Sequence, residues 1–69
     1  MIVDYLEGLK NWLSRIGDLD CANADLIENA IWCVKNGNVY RAEASLRALV
    51  SNLKKMGKSE SAKAVERLL

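Results

Sequence analysis

Few side chains in this 69-residue chain could carry chemistry, and their spacing argues against most of it. With no histidine, a serine or cysteine nucleophile would lack its common general base, so the usual triad cannot be assembled. Cys21 and Cys33 stand twelve positions apart. On one helix that separation is roughly 18 Å, well beyond disulfide reach. Two thiols without histidine also cannot make an ordinary structural zinc site. Asp18-Leu19-Asp20 begins like a calcium loop, but Ala22 and Asn23 replace the third ligand and the required glycine, and no matching glutamate follows. A helix N-cap is the better reading of Asp18 or Asp20. Cys33, beside Trp32 in an apolar run, reads as a buried, inert thiol. Glycine-rich phosphate loops and the P-loop pattern are absent. The expectation is a protein that is not an enzyme and takes no metal, cofactor or small-molecule substrate.

Binding surfaces are the stronger expectation. Leu26, Ile27, Ala30, Ile31, Trp32, Cys33 and Val34 wrap most of a helix circumference at about 100° per residue. Centring the buried face on Ile27, Ala30, Ile31 and Val34 puts Trp32 nearly opposite. Centring it on Leu26 and Cys33 puts Trp32 on the flank, as Trp12 flanks the first helix. Either this helix is sandwiched between neighbours, or a second apolar face anchored by Trp32 meets another chain, or Trp32 is an incidental surface residue. On the following helix, Tyr40, Arg41, Ala44, Ala48, Ser51 and Lys55 lie opposite the apolar stripe, with Arg47 and Lys54 to one side. Ile31, Trp32, Tyr40, Arg41 and Arg47 are therefore the candidate partner-binding residues.

Charge adds an alternative. The net charge is +1, but residues 1–37 set Lys10, Arg15 and Lys35 against six carboxylates, while residues 38–69 set seven cations against Glu43, Glu60 and Glu66. Opposite halves can attract each other within the fold or across a homodimer, and a basic half can meet phosphate. Arg41, Arg47, Lys54, Lys55 and Lys58 are the candidate nucleic-acid contacts. One tyrosine is thin aromatic interleaving for stacking on bases. A helix-turn-helix around Arg15-Ile16-Gly17 fails, because Asp18 occupies an apolar position and the would-be recognition helix is acidic. The functional expectation is a small intracellular interaction module, an adaptor or inhibitor docking on a larger assembly or a homodimer. Nucleic-acid binding through the basic C-terminal helices is the alternative.

The elements that position these residues follow from a repeat. Gly17, Gly37 and Gly57 recur every twenty residues, and Ala22/Ala24, Ala42/Ala44 and Ala62/Ala64 recur with them. Twenty residues hold one helix and one turn, so the chain is expected to be a row of helices stopped by glycine. Ile2, Leu6, Leu9, Leu13 and Ile16 form a single stripe over a first helix at about 2–16, flanked by Tyr5 and Trp12. Gly8 costs that helix roughly 1 kcal/mol relative to alanine and would let a neighbour approach closely. A second helix reaches about Asn36. A third starts near Asn38 and carries Val39, Ala42, Leu46, Leu49, Leu53 and Met56. Ser59 is expected to cap a short fourth helix that turns Ala62, Val65, Leu68 and Leu69 inward, while the paired alanines let helix N-termini approach. The expected fold is all-α: one domain, 1–69, as an antiparallel up-and-down bundle of three long helices and a short C-terminal fourth. The acidic N-terminal stretch and the lack of a long apolar run predict neither signal peptide nor membrane helix. With free thiols, they point to the cytoplasm and to no membrane partner.

Overall fold

The computed structural model describes residues 2–69, and every regular element among them is an α-helix. Helices α1 (Ile2–Arg15), α2 (Cys21–Lys35), α3 (Val39–Lys55) and α4 (Ser59–Glu66) contain 14, 15, 17 and 8 residues. Each of the first three ends in the same way. Gly17, Gly37 and Gly57 adopt φ of +79°, +76° and +77°, a left-handed conformation that costs glycine nothing and an L-side chain about 1–2 kcal/mol. The residue after each glycine donates its N–H back to a carbonyl five positions earlier: Asp18 to Leu13 (3.0 Å), Asn38 to Cys33 (2.8 Å) and Lys58 to Leu53 (2.8 Å). Each glycine N–H bonds the carbonyl three residues before it, on Ser14, Val34 and Lys54. These are three complete Schellman motifs, which satisfy carbonyls that a helix end would otherwise leave without partners.

Helix starts are less uniform. Asp20 caps α2, its Oδ1 accepting the Asn23 N–H at 2.8 Å, and Asn38 caps α3 by accepting the Arg41 N–H at 3.1 Å. The position ahead of α4 is Lys58, which makes no side-chain cap, and Ser59 is already helical and not the cap expected of it. The repeat also breaks once. Val39 and Ser59 begin their helices two residues after the glycine, whereas α2 begins four after Gly17. Ala42 and Ala62 are accordingly buried where helices approach, but Ala22 faces solvent and Asn23 takes the inside position.

The core gathers Leu6, Leu9 and Leu13 from α1, Ile27, Ala30 and Ile31 from α2, Leu46, Leu49, Val50 and Leu53 from α3, and Ala62 and Val65 from α4. Helix α2 packs against both α1 and α3, and α4 packs chiefly on α3 and touches α1 only lightly. The flanked position of α2 explains its wide apolar arc. Leu26, Ile27, Ala30, Ile31, Cys33 and Val34 are all at least partly buried, so both centres suggested by the sequence belong to one buried half-circumference. Trp32 projects from its opposite side.

A polar cluster joins the α1–α2 turn to the α3–α4 turn. Asp18, only 6% exposed, accepts a hydrogen bond from Ser61 Oγ at Oδ2 and holds the Lys58 ammonium 3.4 Å from Oδ1. Fully buried Asn23 donates through Nδ2 to the Asp18 backbone oxygen and to Met56 Sδ, both at 3.3 Å, while its Oδ1 has no protein partner. Asp18 is thus not the cap of α2. It brings a carboxylate from 43 residues away to the first turn of α4, where the helix dipole favours negative charge. A second polar tie, Asn29 Nδ2 to Ser45 Oγ at 2.6 Å, links α2 to α3.

Gly8 does not serve close packing inside the fold. It is helical and exposed, and a Cβ added there would meet nothing within 4 Å. No helix is long and apolar enough to cross a membrane among the described residues.

Two substitutions of the same chemical kind should therefore have opposite signs in chemical denaturation. Gly37→Ala should destabilise by about 1–2 kcal/mol, and Gly8→Ala should stabilise by about 0.5–1 kcal/mol. Asp18→Ala, which strips Ser61 and Lys58 of their acceptor, should lower stability by about 1–3 kcal/mol. Exposed Asp25→Ala should stay within about 0.5 kcal/mol of wild type.

Candidate interaction site

Trp32 stands on α2 one turn after Glu28 and one residue before the buried Cys33. Three of its neighbours in sequence, Ala30, Ile31 and Cys33, point into the core, so helical geometry throws Trp32 outward. It is 61% exposed. Together with Glu7, Lys10, Glu28, Ile31 and Lys35 it lines a shallow depression of about 260 Å³ between α1 and α2. Lys10 and Glu28 form an ion pair across this depression at 2.5 Å. Both groups are substantially solvated, so the pair orients the rim more than it stabilises the fold. Ile31 lies almost wholly inside and supplies only the floor.

The other residues singled out from the sequence are dispersed. Tyr40, 89% exposed, stands in the first turn of α3 with Arg41 beside it. Arg47 lines a different depression, between α3 and α4, with Val50, Ser51, Lys54, Glu66 and Leu69. Trp32 and Arg47 therefore belong to separate seams between helices, and the structure groups only Trp32 with Ile31. Of the five basic candidates, three have carboxylate partners: Arg47 with Glu43 at 2.7 Å, Lys54 with Glu66 at 3.4 Å and Lys58 with Asp18. Arg41 and Lys55 are exposed and form no ion pair among the described residues.

A further groove, of about 370 Å³, runs between α1 and α4 and is lined by Tyr5, Leu9, Trp12, Glu60, Lys63, Ala64 and Arg67. The signal for it was the flanking of the α1 stripe by Tyr5 and Trp12. What could not be read was that Glu60, Lys63, Ala64 and Arg67 of α4 would form the opposite wall. No group of three or more cysteine, aspartate or glutamate side chains is placed to hold a metal ion among the described residues. Comparison with known protein families, with curated proteins and with solved structures finds no match to this chain.

The two thiols occupy opposite environments on one helix, Cys21 exposed at its start and Cys33 buried near its end. An aromatic disulfide reagent should label one thiol per native chain rapidly and the second only on unfolding. Peptide mapping should place the rapid adduct on Cys21.

Proposed function

We propose that this chain is a small, non-enzymatic protein-interaction module that docks inside the cell on a larger assembly, as adaptor or inhibitor. Trp32 carries the reading. Tryptophan is enriched among residues that dominate binding energy, because a large rigid ring removes much apolar surface from water at small entropic loss. In this chain the apolar requirement of α2 is already met by six other residues, yet Trp32 projects from the far side with 61% of its surface open. The depression beside it has an apolar floor at Ile31 and a rim of both charge signs, Glu7 and Glu28 with Lys10 and Lys35. Such a surface suits a partner that contributes an apolar side chain ringed by polar groups. Tyr40, Arg41 and Arg47 would serve as outlying contacts of a larger footprint.

The reading takes the four helices as an antiparallel up-and-down bundle, three long and one short. Connections of three to five residues support that arrangement. So does the meeting of the first and third turns at Asp18, Lys58 and Ser61, since alternate turns of such a bundle share one end. The nucleic-acid alternative is the weaker of the two, because Arg47, Lys54 and Lys58 already face carboxylates.

The test is affinity capture with wild-type and Trp32→Ala baits, followed by titration of the captured partner. Trp32→Ala should weaken association by about 2 kcal/mol or more, roughly 30-fold, and leave the far-UV circular dichroism unchanged. A partner held equally well by both baits, or a variant that unfolds, removes the reading. Short duplex and single-stranded oligonucleotides should show no binding at low salt. Binding that falls steeply with ionic strength would move the function to the basic helices.

A further inference from the structure

Helix α1 carries an exposed face that the fold itself does not explain. Asp4, Gly8, Trp12 and Arg15 succeed one another at spacings of four, four and three, with Tyr5 alongside, so they share one side of the helix. Helix α4 lies along only one edge of this face, where Glu60, Lys63, Ala64 and Arg67 line the groove opposite Tyr5 and Trp12. Gly8 lies at the middle. Its φ is not left-handed, it is exposed, and a Cβ there would touch no other part of the chain. A glycine inside a helix that neither turn geometry nor internal packing requires leaves room for something outside the chain to come close to the α1 backbone. On either side of it stand the partly open rings of Tyr5 and Trp12.

The charges on this face indicate what approaches. Asp4 is in the first turn and Arg15 in the last, and neither forms an ion pair among the described residues. Turned end for end about Gly8, the face brings the rings of Tyr5 and Trp12 together and its basic end towards its acidic end. We infer that α1 is the contact surface of a symmetric dimer, in which the α1 helices of two copies cross antiparallel at Gly8. Counted outward from that crossing, Trp12 of one copy comes opposite Asp4 and Tyr5 of the other. Arg15 comes within about one turn of the second copy's Asp4. A two-fold contact of this kind closes on itself and leaves no surface for chain growth. It rests on one helix and the adjoining edge of α4, with Lys63 and Arg67, so it belongs with small interfaces that dissociate on dilution. The inference is independent of Trp32, which is not on α1.

Acid at the start and base at the end also complement a helix dipole, and the experiment separates the two roles. Sedimentation velocity of the full chain over about a hundredfold range of concentration should show a reversible monomer–dimer equilibrium. Gly8→Leu should weaken dimerisation about tenfold or more while the helical content and melting temperature hold or rise. Asp4→Arg and Arg15→Asp should each weaken it about fivefold or more, and the double reversal should restore it. If the charges served only the dipole, the double variant would be worse than either single one. Trp32→Ala should dimerise like wild type. A wild-type monomer at every concentration, full dimerisation by a folded Gly8→Leu, or no recovery in the double variant would each overturn the inference.

Discussion

The helices among residues 2–69 are joined by only three to five residues, and within them the chain must find partners for polar groups that the helix ends leave open. The Schellman closures at Gly17, Gly37 and Gly57 meet that demand at the carbonyl ends. They do so with backbone alone, which is why glycine is needed and why the residues on either side can vary. Because each closure returns an N–H to the carbonyl of Leu13, Cys33 or Leu53, it also ties the turn to a buried position. The turn and the core are therefore set in one act, and the packing of α2 between α1 and α3 depends on it.

The amino ends are met in a different currency. Asp20 and Asn38 cap from their own positions, but Lys58, ahead of α4, makes no side-chain cap. Asp18, from the α1–α2 turn, brings a carboxylate to that end through the Ser61 hydroxyl and the Lys58 ammonium, with Asn23 bonded to its backbone oxygen. Burial of an acid is unfavourable unless its hydrogen bonds are made, so this arrangement is sensitive to the loss of any partner. It also gives the short α4 an anchor that its eight residues could not supply by apolar packing alone.

What remains on the outside is set by supply and demand for cover. Helix α2 has neighbours on two sides and buries half its circumference, and Trp32 falls on the other half, where α1 supplies only the rim of a shallow depression. Helix α1 has α2 on one side and the short α4 on the other, so Tyr5 and Trp12 are only partly covered. Two tryptophans at equivalent places in a twenty-residue repeat thus end in different surroundings. Trp12 lines a groove between helices, and Trp32 stands in the open beside a shallow depression.

Helix number, the glycine stops and the middles of the apolar stripes were legible in the sequence because they are local, whereas Ile2, Ile16, Val39 and Met56, at the ends of those stripes, are exposed. A left-handed glycine, an Asp or Asn cap and a three-four spacing act through neighbours within a turn or two of helix. The burial expected of Cys33 followed in the same way, from its place in an apolar run. Asp18 and Asn23 could not be read so. Both look like ordinary turn and capping residues, and their burial depends on Ser61 and Met56, which lie 43 and 33 positions further along the chain. Nor could the choice between two buried centres on α2 be made locally, since it required knowing that helices flank it on two sides. The separation of Trp32 from Arg47 onto different seams is likewise a property of how α1 and α4 sit about the central pair. Periodicity records which face of a helix seeks cover, but only packing decides how much cover that face receives.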